Sequence, residues 1–246
     1  GNSVINTYAN QITAYLCPPI TDNSAVSKAQ AKAAELAKTV ELEGAALLKN
    51  NDNVLPLSKT DDKKVNVFGY GSVDWSYGGI GNGSSGQVRP EDDNINSVVD
   101  LMKALKRYGI STNSEIQSFY KKWCEPVNLI KDPNSIDRAT ARALREPSMD
   151  KYSTQLLDNA KAYSSTAIAV ISRTCHENND LPNIQTKAGP GQVNDETRHY
   201  LEISTEEEEM LTYLGKNYEK VIVVINAGNI MELDFMDRIP GLDACV

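Results

Sequence analysis

The sequence has little of what metal, redox and nucleic-acid sites require. Its 246 residues include 2 His and 4 Cys. Cys17, Cys124, Cys175 and Cys245 lie far apart, with no CxxC and no His at metal-ligand spacing. Reduced thiols, no metal and no cofactor are therefore expected. Cys175 and His176 are neighbours, but adjacent side chains on an extended segment point to opposite faces, which argues against a nucleophile pair. Lys and Arg total 25 against 33 Asp and Glu, a net charge of -8. That balance argues against a nucleic-acid or anionic-membrane surface, since either needs clustered basic residues. No apolar run approaches the roughly 20 residues that span a bilayer. There is no GK[ST] for a P-loop, no internal repeat and no low-complexity tract. No leader is visible, yet the first residue is Gly rather than Met, so both the bacterial cytoplasm and secretion stay open.

What is present is ordinary for a soluble fold: 40% hydrophobic and 24% charged residues, enough for one large or two small domains. Residues 7–16 lead to Pro18-Pro19 and read as an extended arm. A first helix, capped near Asp22, Asn23 or Ser24, carries Val26, Ala29, Ala33, Leu36, Val40 and Leu47 on one face. The Asn50-Asn51-Asp52-Asn53 cluster is expected to stop it, because Asn and Asp tolerate left-handed backbone. A strand follows at 65–68, then a Gly-rich loop from Gly69 to Gly86. Val98, Leu101, Met102, Leu105 and Tyr108 form a second amphipathic helix, ended by Gly109. Residues 111–117 read as a strand, and Pro126, Pro133 and Pro147 interrupt what comes next. A third helix carries Tyr152, Leu156, Leu157, Ala160 and Tyr163.

The next strand, 166–171, is apolar throughout, and a long polar loop, 172–203, leaves it. Ser204 and Glu207 are spaced as a capping box, with the acidic run 206–209 complementing a helix dipole. Another wholly apolar strand spans 221–225, and one more begins at 242–246. Strands apolar on both faces, alternating with helices, predict a buried, mostly parallel sheet and an α/β fold. Ligands in such sheets gather beyond the carboxyl ends of the strands, which singles out the loops after 65–68 and 166–171. Gly81-Asn82-Gly83-Ser84-Ser85-Gly86 matches GxGxxG, but it lies a dozen residues past the strand and runs into Pro90. It lacks the strand–turn–helix setting of a dinucleotide site.

Residues 41–57, ELEGAALLKNNDNVLPL, resemble the LLKN…LPL segment that opens the α/β sandwich domain of glycoside hydrolase family 3, a family that includes β-glucosidases and β-xylosidases. Lys220-Val-Ile-Val-Val-Ile-Asn-Ala-Gly-Asn229 is similar to the family's VVVLNxGxP strand, and residues 239–245 fit the start of its next strand. The resemblance implies a layered helix–sheet–helix sandwich over 25–246, preceded by an arm over 1–24. It also implies that the sandwich is incomplete, since the chain stops inside an apparent strand. The catalytic (β/α)8 barrel of such enzymes has no counterpart here, and the residues before Val26 do not resemble a barrel's last helix, which favours a sandwich-first order.

The same resemblance implies a role for both loops. Residues 77–83 look like the GGxGSG stretch that meets the barrel, making Tyr77, Gly79, Gly81 and Gly83 candidate substrate-binding residues. Arg173 to Asp180 is similar to the loop with a GExxD run, so Glu177 would be the general acid/base and Asp180 a substrate-binding acid. Glu196, beyond a Gly189-Pro190-Gly191 hairpin, is the alternative acid. The implied reaction is retaining, exo-acting hydrolysis of a β-linked glucoside, xyloside or short oligosaccharide, with an Asp nucleophile on the barrel. Two carboxylates are needed, so the chain alone is expected to be inactive. The alternative is a non-catalytic α/β module that binds carbohydrate or packs against a neighbour. His176 in place of Gly and the lack of Arg after Asp180 speak for it.

Overall fold

Every residue from Thr166 to Arg173 is buried, which requires a central strand covered on both faces. The computed structural model describes residues 23–76, 99–124, 143–175, 180–187 and 193–246. Along the chain these form α1 (Asn23–Gly44), β1 (Lys49–Asn50), β2 (Lys64–Phe68), α2 (Leu101–Tyr108), β3 (Ser111–Thr112), α3 (Ser114–Cys124) and α4 (Thr154–Tyr163). Then come β4 (Thr166–Arg173), β5 (Gln185–Lys187), β6 (Val193–Asp195), α5 (Thr205–Asn217), β7 (Lys220–Ala227), α6 (Phe235–Arg238) and β8 (Ala244–Cys245). Residues 1–46, which hold α1, and residues 47–246 are separate units.

The second unit is built on a six-stranded sheet in the order β1-β8-β7-β4-β2-β3. All its pairings are parallel except β1 with β8. β4 lies in register along its whole length with β7, Ile168 opposite Ile222. Alternation along β4 divides the core: Ala167, Ala169 and Ile171 face Tyr120 of α3 and Leu211 and Leu214 of α5. Ile168 and Val170 face Leu105 of α2. The expected α/β sandwich, with a mostly parallel sheet between helices, is what forms.

Local signals explain the element ends. Asp100 caps α2 by accepting from the Lys103 N–H at 2.7 Å, and Gly109 closes it at φ 89. The capping box of Ser204 and Glu207 is present at the start of α5. Two expectations fail. α1 ends at Gly44, so Leu47 lies outside it, and 49–50 are extended rather than a helix exit. The backbone explains this: Leu48 N–H donates to Cys245 O at 2.8 Å and Asn51 N–H to Asp243 O at 2.8 Å, so the segment is captured as an edge strand. Asp52 (φ 50) and Asn53 (φ 54) do adopt left-handed backbone, but in the turn after β1. The second failure is at 111–117, where β3 stops after two residues and α3 begins. Ile116, Tyr120 and Cys124, spaced by four, bury one face of α3, and this packing outweighs its modest helix propensity.

Candidate functional site

β2, β4 and β7 run in parallel, so their carboxyl ends share one edge of the sheet, where the two loops singled out above emerge. The exits are packed closely. Gly69, at φ 92, leaves β2 with its Cα so near β4 that a Cβ would sit 2.2 Å from Val170 O. Tyr70 then turns inward, and its buried hydroxyl donates to Ser172 O at 2.9 Å. Asn226, on β7, holds the start of the Gly-rich loop: its Oδ1 accepts from Ser76 N–H at 2.8 Å and its Nδ2 donates to Ser76 O at 3.0 Å. Arg145 secures the same stretch through Asp74 at 2.7 Å.

The loop after β4 is anchored by Arg173, a residue whose side chain is fully buried. Its guanidinium forks onto Glu207, Nη1 to Oε1 at 2.8 Å and Nη2 to Oε2 at 2.7 Å. It also donates to the carbonyls of Ser172, Tyr200 and Glu202. Burial opposes its charge, but the paired Glu207 carboxylate outweighs that and holds the Arg173 guanidinium charged. Tyr200 brackets Thr174, receiving its N–H at 3.2 Å and donating to its carbonyl at 3.0 Å. Cys175 Sγ donates to Gly228 O at 3.1 Å. Residues 173–175 are thus fixed to the far end of their own loop and to the exit of β7.

Of the residues expected to form the site, Glu177, Tyr77, Gly79, Gly81 and Gly83 lie outside the described residues, as do His176 and residues 188–192. Asp180 is exposed where the loop resumes. Glu196 is exposed in the turn after β6. The hairpin of β5 and β6 is tied to α5: Lys187 pairs with Glu206 at 2.6 Å, and Gln185, buried, donates to the His199 and Glu202 carbonyls at 3.0 Å each. Asp195, whose acidity rises because the Thr197 hydroxyl and N–H donate to it, is a turn-forming residue.

Arg173, Tyr200, Asn226 and Asp74 were not singled out from the sequence. The one available signal was an Arg at the end of an otherwise apolar strand, which must be paired if it is buried. Spacing also gave no hint that His199, Glu202 and Glu232 converge. Their ligand atoms lie within 4.8 Å of one another, with His199 Nε2 3.2 Å from Glu232 and 3.7 Å from Glu202. All three side chains are at least one-third exposed, and they read as a surface charge cluster.

Residues 45–246 match the glycosyl hydrolase family 3 C-terminal domain. The chain is 28% identical over 233 residues to β-glucosidase A of Butyrivibrio fibrisolvens, covering 89% of this chain and 25% of that protein. It is 28% identical over 207 residues to a β-glucosidase of Ruminococcus albus, covering 83% and 19% respectively. It therefore spans a quarter or less of the length of these relatives. Among solved structures, a β-glucosidase from Paenibacillus barengoltzii superposes with a TM-score of 0.65 at 21% identity, over 86% of this chain and 20% of that one. β-Glucosidase 3B from Thermotoga neapolitana, solved with glucose, gives 0.63 at 20% identity over 88% and 27%. At those identities the structural matches speak to the fold, and they agree with the sheet and helix layers described above. The chain belongs to glycosyl hydrolase family 3, and residues 45–246 are its C-terminal α/β domain.

Proposed function

We propose that this domain supplies the general acid/base, Glu177, of a retaining exo-acting β-glycosidase whose Asp nucleophile stands on a (β/α)8 barrel. The substrate is a β-linked glucoside, xyloside or short oligosaccharide, and the stretch with Tyr77, Gly79, Gly81 and Gly83 lines the site together with Asp180. The observation that carries this reading is the anchoring of residues 173–175. Arg173, Tyr200 and Gly228 fix the chain two residues before Glu177, at the strand ends where ligands of such sheets bind. A proton donor must be held within hydrogen-bond reach of the leaving oxygen, and a rigid loop root serves that need.

Retention requires two carboxyl groups about 5–5.5 Å apart. One acid on one domain cannot meet that condition, so the purified chain is expected not to hydrolyse an aryl β-glucoside. In the barrel-joined enzyme, Glu177→Ala is expected to abolish turnover of natural glycosides. Azide, attacking the glycosyl intermediate without needing a base, is expected to restore turnover of an activated substrate as a glycosyl azide. Unchanged activity of Glu177→Ala sinks the assignment, and the same assay on Glu196→Ala tests the alternative acid. The departures at His176 and after Asp180 favour a second reading, a non-catalytic packing or sugar-binding module. Full activity of the barrel-joined enzyme lacking both Glu177 and Glu196 carboxylates is the outcome that selects it.

A further inference from the structure

The short segment 143–148 touches the described parts of both site loops. Leu144 N–H donates to Thr186 O at 2.8 Å, so the segment touches the hairpin of the acid loop. Arg145 reaches Asp74, and Glu146 reaches the exit of β2, where its Oε2 accepts from the Tyr70 N–H at 2.9 Å. The other oxygen of Glu146 has unusual company. Its Oε1 lies 2.7 Å from Tyr120 Oη and 2.9 Å from Tyr152 Oη, while the two phenol oxygens are 2.5 Å apart.

Three oxygens therefore form a triangle with three short contacts. Each phenol brings one hydrogen and a carboxylate brings none, so an ionised Glu146 leaves one contact between bare lone pairs. A protonated carboxyl supplies the missing hydrogen and closes the ring. We propose that Glu146 is held as a neutral carboxylic acid in a hydrogen-bonded ring with Tyr120 and Tyr152, and that this ring is a positioning device for the root of the site. The path is short: Glu146 holds the Tyr70 amide, and the Tyr70 hydroxyl holds Ser172 O, one residue before Arg173. The consequence for catalysis rests on the glycosidase reading; the protonation state does not.

The surroundings agree. Glu146 is 7% exposed. Among the described residues its side-chain partners are Tyr120 of α3 and Tyr152, two residues before α4, with Met210 Sδ of α5 3.5 Å from Tyr120 Oη. Glu207 on α5 adds a like charge, and that charge is occupied by Arg173 of β4. Arg145 is turned to Asp74, and Lys187 of β5, which lines the same small cleft as Glu146, is paired with Glu206. Burial is the main cause that pushes the Glu146 carboxyl up to about 8, and burial raises Tyr120 and Tyr152 as well.

A proton bound more tightly in the folded than in the unfolded state stabilises fully below the ordinary carboxylate range. That contribution is lost as pH rises towards about 8. The test compares urea unfolding of the chain with that of Glu146→Gln between pH 5 and 9. Gln is uncharged at every pH and has the same shape: its oxygen can accept from the Tyr70 N–H and its amide nitrogen can donate to a phenol, although it cannot accept a phenol hydrogen as a carboxyl oxygen does. Relative to Glu146→Gln, the wild-type unfolding constant is expected to rise about tenfold per pH unit between pH 5 and 7. An infrared C=O stretch of a protonated carboxyl, present in wild type at pH 6 and absent from Glu146→Gln, is the matching signature.

Glu146→Ala is expected to speed hydrogen exchange at the Tyr70 amide at pH 5 while the β7 amides keep their protection, and Glu146→Gln is expected to leave Tyr70 protected. A pH-independent difference between wild type and Glu146→Gln, with no carboxyl band, overturns the neutral ring. Unchanged Tyr70 exchange in Glu146→Ala overturns the positioning role. In the barrel-joined enzyme, Glu146→Ala is expected to lower kcat more than it raises KM, with rescue by Gln. Unchanged kcat there, with Glu177→Ala still dead, removes the catalytic consequence alone and leaves the glycosidase reading standing.

Discussion

Arg173 and Glu207 meet in the dry interior through two parallel hydrogen bonds of 2.8 and 2.7 Å, and the same carboxylate accepts the Ser204 N–H at 2.7 Å. One glutamate therefore caps α5 and neutralises the residue from which the loop after β4 departs. Strand, helix and loop root share a single buried charge pair.

Breaking that pair leaves an uncompensated charge or unpaired carbonyls. Arg173→Ala is expected to cost about 3–5 kcal/mol in urea unfolding, and Glu207→Ala a similar amount. Arg173 also serves three carbonyls, so replacing both residues by Met is expected to recover only part of the loss. Full additivity of the two single changes would show that they do not act as a pair.

Gly69 and Gly109 make a matched comparison. Both have positive φ, 92 and 89, but a Cβ at Gly69 would lie 2.2 Å from Val170 O while one at Gly109 meets nothing within 4 Å. Gly109→Ala is expected to cost about 1 kcal/mol for its backbone alone. Gly69→Ala adds a collision between strand exits and is expected to cost about 2–5 kcal/mol. Thermal unfolding of the two variants reads the difference.

Asn226→Ala removes the two bonds that Asn226 makes to the Ser76 backbone. The expected loss is about 1–3 kcal/mol, because two side-chain–backbone bonds at half-buried groups are broken. Exchange at the Ser76 amide is expected to accelerate before any change in β7, and equal acceleration of both would mean global destabilisation.

The general-acid role proposed for Glu177 predicts a leaving-group dependence. In the barrel-joined enzyme, Glu177→Gln is expected to lower kcat/KM about 10²–10⁴-fold for alkyl glucosides, which need a proton on the departing oxygen. Loss is expected to be far smaller for dinitrophenyl glucoside, whose aglycone leaves unaided. An equal loss for both substrates assigns Glu177 to sugar binding.

Much of the scaffold was legible because its causes are local. β4 and β7 announce themselves as apolar runs, Gly109 as a helix stop, and Ser204 with Glu207 as a capping box. The family was legible in residues 41–57, although their conformation was not, since β1 depends on a partner strand distant in the sequence. α3 was missed because Ile116, Phe119 and Tyr120 favour strands in isolation and become helical only by packing against Tyr152 and Met210. The anchors of the site were hidden for the same reason. Arg145 and Glu146 sit in a stretch broken by prolines, and their partners Asp74, Tyr70, Tyr120 and Tyr152 come from separate elements. Paired charges and shared protons leave no periodicity in a sequence.

Among the described residues β1 pairs with β8 alone, Lys49 opposite Cys245 and Asn50 opposite Ala244, so the two strands that form this edge are far apart in the sequence. On a ribosome the first cannot dock until the second has emerged, and closing so long a loop is slow. The segment that most clearly marks the family is thus among the last to find its place. Until then, its leucines and unpaired amides are open to chaperones, proteases and other nascent chains.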